Sequence, residues 1–233
     1  METKVYNLII LDESGSMDCI RRQAVEGVNQ TISTIRQAQL SNEGQNHMVS
    51  LITFNSERTN TIYDMTPIKD VKDLKLGDYN PGACTPLYDA MGFALTSLRK
   101  VATKKDLVLV TIITDGYENA SKEFTGKAIK TLVDELRQQE DWIFTYIGAN
   151  QDVEKVAESL GVSNSMAFQE DEEGTRFMFE KESRSRRKFY NTFGCMSMKI
   201  ADGDDAMESL SACKRDLSEN YFDDDDVEFE EII

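Results

Sequence analysis

Apolar runs of strand length alternate along the chain with segments whose apolar residues recur at helical spacing. The run "KVYNLIIL" (residues 4–11) predicts a strand. In "IRRQAVEGVNQTISTIRQAQL" (20–40), Ile20, Val25, Val28, Ile32 and Ile35 keep a period near 3.6, which predicts a helix. "HMVSLITFN" (47–55) then predicts a second strand and "TNTIYDM" (59–65) a weaker one. Their close connection implies a hairpin and hence one antiparallel member. A helical turn is expected near "VKDL" (71–74), followed by the loop "GDYNPGACTP" (77–86), dense in Gly, Pro, Asn and Asp.

The alternation continues through a helix in "PLYDAMGFALTSLRKVA" (86–102), with Pro86 suited to a first turn. "DLVLVTIIT" (106–114) reads as a strand buried on both faces. A helix in "TGKAIKTLVDELRQQE" (125–140), a strand in "WIFTYIG" (142–148) and a helix in "DVEKVAESLG" (152–161), ended by Gly161, come next. "SMAFQE" (165–170) is the last expected strand. Such a sequence predicts an α/β fold: an open, mostly parallel, Rossmann-like sheet with one antiparallel edge strand and helices on both faces. We expect the domain to occupy residues 1–168, a helical extension anchored by Phe177, Met178 and Phe189 to occupy 169–201, and an acidic, disordered tail to occupy 202–233.

Charge alters this picture mainly at the C-terminus. The formal charge of the 233 residues is −16, and residues 202–233 hold 13 Asp and Glu against 2 Lys and Arg. That balance is wrong for tracking a phosphate backbone, so a nucleic-acid partner is not expected. No apolar run approaches the ~20 residues that span a bilayer, and the N-terminus lacks the basic start and small-residue cleavage site of an export signal. The expectation is a soluble, cytoplasmic protein without a membrane partner. Cys19, Cys84, Cys195 and Cys213 are widely spaced and suggest reduced thiols, not a zinc cluster or disulfide framework.

In open α/β sheets ligands bind beyond the carboxyl ends of the strands. Three polar segments fall there: "DESGSM" (12–17), "CTPLYD" (84–89) and "TDGYEN" (114–119). Asp12, Ser14, Ser16, Thr85 and Asp115 together offer two carboxylates and three hydroxyls. Hard oxygen donors without sulfur or imidazole suit Mg²⁺, or Mn²⁺ and Ca²⁺, over zinc. Positions two apart after a strand can face one way, and Gly15 lets the backbone turn tightly between them.

The D-x-S-x-S of residues 12–16, the T-P-L-x-D-A beginning at Thr85 and the strand-borne T-D-G at Thr114 resemble, in order and spacing, the von Willebrand factor type A (vWA) domain over roughly residues 3–168. The resemblance implies a metal-ion-dependent adhesion site (MIDAS), with Ser14, Ser16 and Thr85 as hydroxyl ligands of Mg²⁺ and Asp12 and Asp115 as charge-balancing partners acting directly or through water. It also implies that the strands bearing "DESGSM" and "TDGYEN" lie side by side, and that an Asp or Glu of a protein partner completes the metal's shell. The acidic tail could serve as such a ligand within the chain or between chains. The implied activity is binding without catalysis.

An enzymatic alternative is a metal-dependent, phosphatase-like hydrolase using Asp12, although Ser14 stands where haloacid-dehalogenase-like enzymes need a second Asp. "ESGSM" is no G-x-S-x-G elbow, and "FTGKAIK" is no phosphate-binding P-loop. Cys84, in a place the vWA family often gives to glycine, reads as a packed thiol rather than a redox gate. Tyr117 is open between contact with a ligand and plain surface. Asp89 and Glu118 are open between supporting the metal ligands and purely structural roles. His47 reads as a surface residue, and Arg184, Arg186, Arg187 and Lys188 as a solvated face whose nearest candidate partner is the acidic tail.

Overall fold

A computed structural model describes residues 3–139, 141–149, 152–200 and 220–222, the side chains of 195–200 excepted. Six strands form one sheet in the order β3-β2-β1-β4-β5-β6. They are β1 (Thr3–Asp12), β2 (Gln45–Phe54), β3 (Thr59–Pro67), β4 (Leu107–Thr114), β5 (Trp142–Gly148) and β6 (Asn164–Ala167). All neighbours are parallel except the β2/β3 hairpin, which forms the expected antiparallel edge. β1 lies between β2 and β4, in register from Val5 opposite Leu107 to Leu11 opposite Ile113. Asp12 and Asp115 therefore leave adjacent strands at the same end of the sheet.

The helices are α1 (Arg21–Ser41), α2 (Leu87–Arg99), α3 (Gly126–Arg137), α4 (Val153–Ser159) and α5 (Glu172–Ile200). Side-chain alternation along β1 sorts them onto two faces. Val5, Ile9 and Leu11 pack with Val28, Ile32 and Ile35 of α1 and with Phe179 and Phe189 of α5. Tyr6, Leu8 and Ile10 pack with Leu87, Met91 and Leu95 of α2, Ile129 and Val133 of α3 and Ala157 of α4. All eight residues of β4 are buried, as its uninterrupted apolar run predicts.

Local signals set the helix ends. Thr125 caps α3 by accepting from the Ala128 N–H, and Asp152 caps α4 by accepting from the Lys155 N–H. Gly161, at φ +77°, turns the chain after α4. Helical turns fall at Ile68–Asp70 and Leu76–Asp78, so Val71–Leu74, where one was expected, is irregular chain between them. Of "SMAFQE", the strand itself runs to Ala167, and the Phe168 N–H adds one more hydrogen bond to the Gly148 carbonyl of β5 at 3.0 Å.

α5 departs furthest from expectation. It crosses α1 so closely that a Cβ on Gly27 would lie 1.9 Å from the Phe179 ring. Met178 and Phe189 are buried as expected, but Phe177 is 60% exposed, because Phe179 and Phe193 occupy the inward stripe. Arg184, Arg187 and Lys188 lie on the exposed side, whereas Arg186 is fully buried. Arg186 reaches Glu182 Oε1 from Nε and Nη2 at 2.7 Å, Thr111 Oγ1 at 2.7 Å, Tyr190 Oη at 2.9 Å and Asn7 Oδ1 at 3.2 Å. Glu182, Arg186 and Tyr190 are spaced four apart and share the face turned to the sheet, so one member of the basic run turns inward and three face outward.

His47 also differs from the surface residue expected. It is fully buried at the start of β2, where Nε2 lies 2.9 Å from Gln45 Oε1 and the ring stands edge-on to Tyr190 at 4.7 Å. Burial, then the Arg186 charge, pushes its pKa down to about 4, so the imidazole is neutral.

Within the tail, Tyr221 and Phe222 are buried in the α1/α5 face of the core. Residues 202–219 and 223–233, and with them the expected use of the tail as a metal ligand, lie outside the described residues. Among the described residues no helix is long and apolar enough to cross a membrane.

Candidate functional site

At the carboxyl end of β1 the chain passes through Asp12 and Glu13 into a tight turn and a 3-10 helix, Gly15–Ile20. Asp12 is fully buried with both carboxylate oxygens engaged: the Ser14 N–H donates to Oδ1 at 2.7 Å and the Thr114 hydroxyl to Oδ2 at 2.6 Å. The Ser14 and Ser16 hydroxyls lie 3.2 Å apart, and the Ser16 hydroxyl donates to Asp115 Oδ1 at 2.6 Å. A Cβ placed on Gly116 would meet Thr85 Oγ1 at 3.3 Å and Ser16 Oγ at 3.7 Å, which sets Thr85 beside the same cluster. The five residues singled out from the sequence thus converge from three segments far apart in the chain.

The surrounding loop holds this geometry through its backbone. The Gly15 N–H donates to the Ala83 carbonyl at 3.1 Å, and the Gly82 N–H to the Glu13 carbonyl at 2.9 Å. The Ser56 N–H bonds the Cys84 carbonyl at 2.9 Å, while the Cys84 N–H bonds Ser56 Oγ at 3.1 Å. Because the loop is held by its main chain, the Cys84 side chain is left exposed, not packed as expected. Ala83 adopts φ +62°, a left-handed conformation that favours glycine.

Supporting residues were partly missed in the sequence. Glu13, between two recognised positions, is fully buried and accepts from Asn80 N–H at 2.6 Å, Thr53 Oγ1 at 2.8 Å and Arg58 Nη2 at 2.9 Å. The Tyr79 hydroxyl donates to the Asp12 carbonyl at 2.5 Å. A run of two acids after an apolar strand was the available signal, since alternation sends Asp12 and Glu13 to opposite sides. Asp89 and Glu118 settle as loop organisers. Asp89 accepts the N–H groups of Lys122, Glu123 and Phe124, and Glu118 those of Tyr88, Ala120 and Ser121. Tyr117 is 57% exposed beside the site.

Electrostatically the cluster is short of positive charge. Burial raises Asp12 above the usual carboxylate range, against the opposing hydrogen bond from Thr114. Burial also pushes Asp115 up to about 7, with the charges of Asp12 and Glu170 adding to it and the Ser16 hydrogen bond working the other way. Tyr79 is raised well above 10 by burial and then by the Asp12 and Asp115 charges. Asp115 Oδ2 is buried and has no hydrogen-bond partner among the described residues. Two carboxylates, three hydroxyls and an orphaned anionic oxygen are a donor set that fits a hard divalent cation. Among the described residues there is no grouping of three or more His, Cys, Asp or Glu side chains that could hold a metal, so any ion here would depend on the hydroxyls.

The family pattern of the von Willebrand factor type A domain matches residues 8–190, and the chain belongs to that family. The match takes in much of α5 as well as the strands. In many members of this family the domain is a protein-interaction module.

Solved structures share the fold at low identity. A von Willebrand factor type A protein from Catenulispora acidiphila aligns at 14% identity and TM-score 0.56, over 79% of this chain and 43% of that one. A D319A mutant of the PilB minor pilin from Streptococcus sanguinis aligns at 10% identity and TM-score 0.57, over 82% and 64%. The vWF domain of the type V pili tip protein Mfa5 from Porphyromonas gingivalis aligns at 9% identity and TM-score 0.56, over 88% and 98%. This chain therefore spans less than two thirds of the first two proteins. No curated protein matches the sequence.

Proposed function

We propose that the protein is a divalent-metal-dependent protein-binding module, with Mg²⁺ held in an intact MIDAS and an Asp or Glu of the partner completing its shell. The observation that carries this reading is the clustering of the Ser14, Ser16 and Thr85 hydroxyls beside Asp115, whose Oδ1 accepts from Ser16 while its buried Oδ2 is orphaned. Ser14, Ser16 and Thr85 would supply the neutral oxygens, and Asp115 a direct or water-linked anionic one. Asp12, with both oxygens already hydrogen-bonded, would contribute charge and hold the Ser14 backbone. When bound, the cation supplies a Lewis-acid anchor for an anionic oxygen. Gly15 and Ser16 form the exposed rim across which a partner side chain reaches it.

Binding is favoured over hydrolysis because the carboxylate proposed as a nucleophile, Asp12, is buried and fully hydrogen-bonded. Calorimetry with Mg²⁺ and Mn²⁺ on the wild type and Asp12→Ala tests the site. Saturable binding by the wild type and at least tenfold weaker binding by the variant are expected, and equal binding by both would remove the assignment. Partner capture with and without a chelator, with Asp12→Ala as control, tests the activity. Asp12-dependent turnover of a phosphoester would favour the hydrolase instead.

A further inference from the structure

The acidic tail contains an aromatic pair, Tyr221–Phe222, and the structure gives it a seat. Tyr221 and Phe222 are 3% and 8% exposed, lying between α5 and β6. The Tyr221 N–H donates to Asn164 Oδ1 at 3.1 Å, at the start of β6, and the Tyr221 hydroxyl donates to Glu182 Oε1 at 3.3 Å. Its ring lies 5.9 Å from Phe189 and 4.9 Å from Phe222, which meets it edge-on. The seat is specific: a phenol that reaches a buried carboxylate, an edge-strand amide side chain that takes the backbone N–H, and an aromatic wall.

We propose that Tyr221–Phe222 is an intramolecular latch: a releasable peptide docked in a recognition cleft between α5 and β6, beside the Glu182–Arg186 ion pair. Chain length favours the chain's own tail as the occupant. Nineteen residues separate Ile200 from Asn220, enough to span ~60 Å. The return from the end of α5 to Glu182 is ~27 Å at helical rise. A tether of that length gives an effective concentration on the order of millimolar, well above that of a second copy in dilute solution. The described contacts of the pair include two hydrogen bonds and the packing of two aromatic rings, and four consecutive aspartates follow it in a chain that is acidic overall.

The latch is tested on the full chain with a fluorescein-labelled peptide of residues 217–226. Wild type, its cleft filled, should bind the peptide at least tenfold more weakly than the Tyr221→Ala/Phe222→Ala variant. In that variant hydrogen exchange should quicken at 164–167 and 178–189 and stay unchanged at 107–114. Equal peptide binding by both chains overturns the proposal. A wild-type dimer that dissociates on the double substitution would assign the tail to a second copy and overturns it equally. Nitration of native wild type with tetranitromethane decides the matter even if the variant does not fold. Tyr221 should react at least tenfold more slowly than the exposed Tyr117, and equal rates would rule the latch out.

Discussion

Two polar clusters sit on opposite sides of the same distinction. Around Arg186, one guanidinium faces one carboxylate, and Asn7, Thr111 and Tyr190 take up the remaining donors. Around Asp115, two carboxylates face hydroxyls and each other's charge, and one oxygen is left without a partner. The first is fully buried and built from strand and helix positions, whereas the second draws on strand ends and loops and has Ser16 exposed at its rim. The first is internally neutral and closed, so it behaves as scaffold; the second is anionic and incomplete, and the proposed cation site rests on that difference.

That contrast can be broken most severely at Arg186. Arg186→Met leaves the buried Glu182 carboxylate without its cation and should cost about 3–5 kcal/mol in urea unfolding. Adding Glu182→Leu should restore most of the loss; a double variant as unstable as the single one would contradict the ion-pair account.

Next in size is a pH effect at the same cluster. His47 is held neutral, with its pKa lowered from 6.5 to about 4. Between those values the unfolded chain binds the extra proton and the folded chain does not, so folding stability is intact above pH 6.5 and falls as pH drops toward 4. The difference between wild type and His47→Gln should reach about 3 kcal/mol across that window. Parallel pH profiles for the two proteins would show that His47 contributes nothing to acid sensitivity.

At the other cluster the sign should reverse. Without divalent ions Asp115→Asn should stabilise the protein by about 1 kcal/mol, because it removes a buried, unpaired charge. Mg²⁺ at a hundredfold its dissociation constant should then raise wild-type stability by about 2.7 kcal/mol and leave the variant unmoved. Thermal or urea unfolding with and without the ion measures both. The smallest expected change is Ala83→Gly in the loop facing Gly15, which relieves a left-handed alanine and should be stabilising by up to ~1 kcal/mol in the same assay.

The legibility of the two clusters in sequence differs for a physical reason. Asp12, Ser14 and Ser16 lie within five residues and follow a strand whose apolar run is unmistakable, and Asp115 follows another. Spacing and strand ends marked them as candidates, and the resemblance to the vWA family implied that their strands lie side by side. Thr114 stands within the T-D-G read from the sequence, but its hydrogen bond to Asp12, like the role of Glu13, depends on which strands lie alongside. Arg186 and His47 were read as solvated because charge and polarity are the local signals of a surface. What overrides those signals is a complementary group brought from far along the chain: Glu182 and Asn7 for Arg186, Tyr190 and Gln45 for His47.

By itself the sequence determined the order of strands and helices, the antiparallel hairpin and the oxygen-rich strand ends, all of which rest on periodicity and local backbone preference. Only the tertiary structure decided that one arginine of a basic run turns inward, that the lone histidine is a neutral core residue, that Cys84 faces solvent, and that an aromatic pair in an acidic tail returns to the sheet. Burial and pairing are properties of what packs against a residue, and a chain's own pattern records only the side chain it brings, not the partner it meets.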